Sequence, residues 1–203
     1  MASLPPQDRS PLDRTPVRWQ RTLVLGGTRS GKSAYAEDLA TGRREVTYVA
    51  TGRRNAGDAD WEARIDAHRH RRPAYWTTVE TSAGLPSVLV QSDARVLTIV
   101  DDLGTWLTGA IDDLQAWDLP RGTVAPSTDA LVDAVVTCES SVIMVSPEVG
   151  WSVVPPTRSG RLFQDEMGIL NRRIAAVCDT VVLVVAGIPL TIKDARSTTK
   201  GHL

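Results

Sequence analysis

No run of apolar residues in this chain approaches the roughly 18 needed to span a bilayer, so a membrane helix is excluded. The opening stretch from Met1 to Gln20 has no apolar signal-peptide core; it is polar, charged and proline-rich, with Pro5, Pro6, Pro11 and Pro16. It is expected to form a disordered or loosely attached extension. Cysteine is scarce: Cys138 and Cys178 lie far apart with no metal-ligand spacing and read as reduced, core-side residues of a cytoplasmic protein. Charge of one sign is also missing. A formal net charge of −1 offers no case for nucleic-acid binding. One phenylalanine stands against six tryptophans, which by itself assigns none of them to a site.

What is present is ordinary in bulk and specific in detail. At 203 residues, 42% hydrophobic and 23% charged, the chain suits one globular domain with a core that needs no staples. Gly26-Gly27-Thr28-Arg29-Ser30-Gly31-Lys32-Ser33 reads G-x-x-x-x-G-K-S, a phosphate-binding P-loop. Its glycines let backbone N–H groups turn toward phosphate oxygens. Lys32 would reach the β- and γ-phosphates of a nucleoside triphosphate, and the Ser33 hydroxyl would ligate Mg²⁺. The apolar Arg21–Leu25 before the loop reads as a strand and Ser33–Ala40 after it as a helix, which puts a positive helix end under the phosphates.

Along the chain, strand candidates at Glu45–Thr51, Trp76–Glu80, Arg95–Asp102, Ser141–Ser146 and Val181–Ala186 alternate with helical segments. The helices are expected at Trp61–His70, Leu85–Ser92, from Leu103, at Asp129–Ser140 and at Arg161–Cys178, with loop character from Gly109 to Ser127. Leu162, Met167, Leu170, Ile174 and Val177 form the apolar stripe of the last helix. This alternation predicts an α/β protein, a P-loop NTPase-like three-layer fold with a mostly parallel sheet. The folded domain is expected over residues 21–193, with 194–203 as a tail. Ligands on such sheets sit at the C-terminal ends of strands, where the P-loop, Thr51, Asp101 and Glu148 all fall. An acid ending a buried strand beside a P-loop helps organise Mg²⁺; Asp101 and Asp102 both qualify.

Several specific segments follow one another in order. The P-loop has the form Gly-Gly-x-Arg-Ser-Gly-Lys-Ser, and Tyr48-Val49-Ala50-Thr51 comes next. Ala63-Arg64-Ile65-x-x-His68-Arg69, Arg72-Pro73 and Trp76-x-Thr78-x-Glu80 follow. Later come Glu148-Val149-Gly150, Val154-Pro155, Arg158, Arg161, Phe163, Asp165, Asn171-x-Arg173 and Val184–Pro189. Together they resemble the bifunctional adenosylcobinamide kinase / adenosylcobinamide-phosphate guanylyltransferase family of cobalamin biosynthesis. The match runs from Thr22 to Lys193.

The resemblance implies phosphoryl transfer from ATP or GTP to adenosylcobinamide, then GMP transfer from GTP to the phosphate through a guanylylated histidine. It also implies a homotrimer. His68 matches the nucleophile, falling four residues after Arg64; His70 is the neighbouring alternative. A neutral imidazole can attack the α-phosphorus, and Arg69, Arg71 and Arg72 would supply cationic density for a triphosphate. Glu80 matches a nucleotide-binding position, where a carboxylate could accept from guanine. Asp101 matches the family's acidic residue after the central strand, so it is preferred over Asp102 for Mg²⁺. Ala50, Thr51 and Gly52 are expected to border the nucleotide. Glu148, Arg158 and Arg161 would serve the corrinoid side or subunit contacts, and Trp106 and Trp151 could face a large ring. Pro147 departs from the family's usual Asn. That leaves two other readings open: a guanylyltransferase with weak or lost kinase activity, and a P-loop nucleotide switch.

Overall fold

Short runs of β-branched and aliphatic residues build the strands, because side chains of that shape pack on both faces of a covered sheet. The computed structural model describes residues 20–53 and 72–195. β1 (Arg21–Gly26), β2 (Val46–Ala50), β3 (Thr77–Glu80), β4 (Leu97–Asp101), β5 (Ser141–Pro147), β6 (Thr180–Val185) and β7 (Ile188–Asp194) form one seven-stranded sheet. Its order is β3-β2-β4-β5-β1-β6-β7, parallel except for the antiparallel β6–β7 pair.

Alternation along the strands feeds two cores. Leu23, Leu25, Val100, Met144 and Leu183 point to one face. There they meet α2 (Leu85–Val90), α3 (Leu103–Asp113), α4 (Ala125–Thr137) and α5 (Arg158–Val177). Val24, Tyr48, Ile99, Ile143 and Val182 point to the other face and meet Ala36 and Ala40 from the end of α1 (Lys32–Leu39). The result is the three-layer α/β arrangement that the sequence predicts. Met167, Leu170 and Ile174 of α5 are fully buried, as its apolar stripe implies, while Val177 is half-buried against the core.

Three boundaries move, each for a local reason. α4 begins at Ala125 rather than 129, with Pro126 in the first turn, where its missing N–H is no loss. α5 begins at Arg158 because the Thr157 hydroxyl caps it, accepting from Gly160 N at 3.1 Å. The stretch read as a loop from Gly109 keeps helix to Asp113, followed by a 3₁₀ turn at Ala116–Asp118. Residues 188–194, read only as the end of the fold, form the edge strand β7. Pro189 is tolerated there because an edge strand can spare an N–H. The helix expected at Trp61–His70 lies outside the described residues. Among those described, no helix is long and apolar enough to cross a membrane.

Candidate functional site

The parallel strands deliver their C-terminal ends to one edge of the sheet, and the P-loop leaves β1 there. Gly26 has no room for a side chain: a Cβ would stand 2.3 Å from Ser30 Oγ and 2.8 Å from the Val184 carbonyl. Gly31, at φ 93°, turns the chain through the left-handed region into α1. The turn is held by Ser30 N donating to Gly27 O (3.2 Å) and by Gly187 N, from the β6–β7 turn, donating to Ser30 O (2.8 Å). No side chain caps the N-terminus of α1, so its first amides face the concavity without a side-chain acceptor. The Lys32 ammonium lies back over the loop, 3.4 Å from Gly27 O. Such a cradle of amides beside the Lys32 ammonium suits a chain of phosphates.

Asp101 ends β4 beside this loop. Its Oδ1 accepts from Ser33 Oγ at 3.2 Å, and its Oδ2 accepts from the Tyr48 hydroxyl. Asp102 does something else: it caps α3, taking Thr105 N on Oδ1 at 2.8 Å. Burial, and secondarily the Asp101 charge, push the Asp102 carboxyl above the usual range. The two adjacent acids are thereby divided, one facing Ser33 and one serving the fold. Among the described residues there is no cluster of three or more metal-type ligands; the Ser33–Asp101 oxygen pair is the place where a hard divalent cation fits.

Thr51, fully buried, ties β2 to this corner: its hydroxyl donates to Asp102 O at 2.6 Å and sits 2.6 Å from Thr105 Oγ1. Ala50 ends β2, with Gly52 just beyond Thr51. Glu80 pairs with Ala50 at the end of β3 and is exposed; three strands separate β3 from β1. His68, Arg69, His70 and Arg71 lie outside the described residues. Arg72 is described, and its guanidinium carbon stands 3.4 Å from the centroid of the Tyr48 ring. Its Nε is buried without a hydrogen-bond partner among the described residues.

The remaining sequence candidates go elsewhere. Arg158 donates to Trp117 O and, at 2.8 Å, to Leu119 O; Arg161 donates to Pro155 O and Pro156 O at 2.9 and 2.8 Å. Both guanidinium groups brace loops of this chain. Trp106 is a core residue, whereas Trp151 is 77% exposed. Glu148 folds onto its own turn, accepting Gly150 N at 2.7 Å. Pro147 packs where Gly104 leaves space, since a Cβ on Gly104 would meet its ring at 2.6 Å. An open groove of about 430 Å³ between this loop and α5 is lined by Gly150, Val154, Gln164, Gly168, Ile169 and Arg172.

Two contributors are not singled out by the sequence reading. Tyr48 enters it only within a motif, although it is the polar-tipped residue on the buried face of β2. Arg53 falls in an expected loop, yet it pins the chain after β2 to Asp113 (2.6 Å), Gly109 O (3.3 Å) and Ser82 (3.2 Å).

Comparison with known proteins bears on this geometry. Residues 22–192 match the family described as cobinamide kinase / cobinamide phosphate guanyltransferase. The bifunctional adenosylcobalamin biosynthesis protein CobP of Pseudomonas aeruginosa is 40% identical over 177 residues, 85% of this chain and 97% of that protein. The corresponding CobU of Salmonella typhimurium is 37% identical over 180 residues, 84% of this chain and 98% of that one. Among solved structures, a type III secretion system ATPase superposes with a TM-score of 0.52 at 11% identity, covering 81% of this chain and 50% of its own. A Pyrococcus horikoshii OT3 protein gives 0.52 at 10% identity over 91% of each chain. At such identities the structural likenesses speak for the fold alone.

Proposed function

This chain belongs to the cobinamide kinase / cobinamide phosphate guanyltransferase family, and from that membership we propose that it carries out both transfers on adenosylcobinamide. In the first, the substrate hydroxyl oxygen attacks the γ-phosphorus of ATP or GTP, the nucleoside diphosphate leaves, and the hydroxyl proton passes to solvent or a nearby base. In the second, an imidazole nitrogen of His68 attacks the α-phosphorus of GTP and expels pyrophosphate. The phosphate oxygen of the first product then displaces the histidine, giving adenosylcobinamide-GDP.

The observation that carries this reading is the Ser33–Asp101 oxygen pair, 3.2 Å apart at the mouth of the glycine cradle. Hard oxygens in that relation match the donor preference of Mg²⁺, with Ser33 and Asp101 as its holders. Magnesium, when bound, neutralises charge on the β- and γ-phosphates during transfer. Lys32 is free to swing from Gly27 O onto phosphate oxygens, and the loop and helix amides hold the remaining charge in place. Arg69, His70, Arg71 and Arg72 belong to the same proposal as cationic partners of the triphosphate, Glu80 as a guanine acceptor, and Ala50, Thr51 and Gly52 as its border. A homotrimer is also part of it; Ile188, Leu190 and Ile192, exposed along β7, favour self-association.

Incubation with GTP labelled at the α-phosphorus tests the reading. The expected result is an acid-labile, alkali-stable label on the protein that is absent in His68→Ala. A label lost only in His70→Ala moves the nucleophile, and no label on the native protein overturns the histidine route. In a separate assay, Lys32→Ala should lower phosphate transfer to cobinamide by about a hundredfold or more. Native protein that guanylylates without phosphorylating would leave the guanylyl half alone, the outcome that Pro147 motivates.

A further inference from the structure

We propose that Tyr48 is a positioning residue for the Asp101 carboxylate, fixing which oxygen it presents to Ser33 and to a cation on the nucleotide. The inference rests on the proposed function only in needing a metal–nucleotide at the P-loop.

Tyr48 lies on β2, paired in register with Ile99 of β4, two residues before Asp101. Its ring is 1% exposed and packed in the α1-side core, so the phenol cannot follow a wandering carboxylate. The hydroxyl donates to Asp101 Oδ2, while Oδ1 accepts from Ser33 Oγ at 3.2 Å. A carboxylate held by one oxygen only could rotate and offer either oxygen or both. Here the phenol occupies Oδ2, and the plane of the group is set by a rigid strand. Oδ1 is the oxygen turned to Ser33 at the start of α1.

The ring itself carries the Arg72 guanidinium, 3.4 Å from its centroid. A cation over the π face draws electron density from the ring and makes the O–H a stronger donor. The Tyr48 side chain thus touches Asp101 through its hydroxyl and Arg72 through its ring face.

Tyr48→Phe removes the O–H and keeps the ring under Arg72. Mn²⁺ binding to the protein–GDP complex, followed by electron paramagnetic resonance, should weaken about tenfold, the usual effect of losing one hydrogen bond to a charged group. GDP binding in EDTA should change by less than about twofold. The Mg²⁺ concentration for half-maximal phosphoryl transfer should rise by the same factor as the Mn²⁺ dissociation constant, with kcat at saturating Mg²⁺ within about threefold. Unchanged Mn²⁺ affinity overturns the proposal. So does an equal loss of GDP binding with and without metal, since that marks a purely structural hydroxyl.

A second measurement needs no change at Tyr48. In protein labelled with 3-fluorotyrosine there are three signals, of which two are assigned with Tyr35→Phe and Tyr75→Phe. Adding Mg²⁺ to the GDP complex should shift the remaining Tyr48 signal, and a signal indifferent to metal refutes the role. Absence of the guanylyl label with these metal responses intact would sink the function and leave the positioning role standing.

Discussion

Asp101 and Asp102 are the same residue twice, and their surroundings give them different work. Asp102 caps α3 from a buried position, and burial followed by the Asp101 charge raises its carboxyl pKa. Because the folded value lies above the unfolded one, its contribution to stability is fully present below the unfolded carboxylate range near about 4 and is lost as pH rises through the folded value. Asp102→Asn keeps an acceptor for Thr105 N and removes the charge. It should be more stable than the native protein to urea at pH 7, with the difference shrinking toward zero as the pH falls below about 4. Asp102→Ala should be less stable than Asp102→Asn by about 1 kcal/mol at every pH, the worth of a helix cap; equal stability of the two would refute the cap. The strand pattern alone does not separate these acids; only the family resemblance favours Asp101. Consecutive strand residues face opposite ways, so the outcome hung on whether β4 stops at Asp101 or one residue later, and a terminal residue is the least legible part of a strand. Tyr48 was unreadable for a related reason: a tyrosine on a buried strand face looks like core until its hydroxyl partner is known.

At the scale of elements, the β6–β7 hairpin is the clearest addition to the sequence reading. Pro189 argues against a strand, and Ile188, Leu190 and Ile192 are exposed, so no buried face advertised β7. The structure joins it to β6 through Ala186 and Gly187, both at positive φ (51° and 79°), the backbone of a two-residue type I′ turn. Alanine is a poor residue for that conformation, whereas asparagine accepts it. Ala186→Asn should therefore stabilise by about 0.5–1 kcal/mol, a rise in melting temperature of about 1–4 °C for a chain of this size, read by calorimetry. An unchanged or lower melting temperature would show that the turn is not strained at Ala186. By contrast, the alternation of strands and helices elsewhere was plain, since each long apolar run was both buried and bounded by polar turns. The helices shifted where a cap, rather than the periodicity, chose the first residue, as Thr157 does for α5.

Across the whole molecule, the sequence reading of Cys138 and Cys178 as unpaired interior thiols can be put to use. Both are free and buried, and both belong to the core on the α2–α5 face. Burial pushes the Cys178 thiol up to about 12, so little thiolate exists at ordinary pH even when a reagent arrives. Neither cysteine should react with a thiol reagent in the native protein at pH 8, and both should become reactive in one cooperative urea transition that coincides with loss of helix signal. Labelling of one before the other would reveal that part of this core opens alone. The family, the fold class and the phosphate loop were legible from the chain, because each rests on a local pattern. The mutual placement of Tyr48, Asp101 and Arg72 was not, because it depends on sheet register between strands far apart in sequence.

The hydrogen bond from Gly187 to Ser30 has a consequence for how the chain comes into being. The phosphate loop leaves the ribosome well before β5 and β6, the two strands that flank β1 in the sheet. The turn that latches Ser30 is later still. Until those strands emerge, the nascent chain carries the nucleotide-binding signature without the means to hold its shape. The loop is fixed only when the β6–β7 hairpin, made long after it, folds down over it.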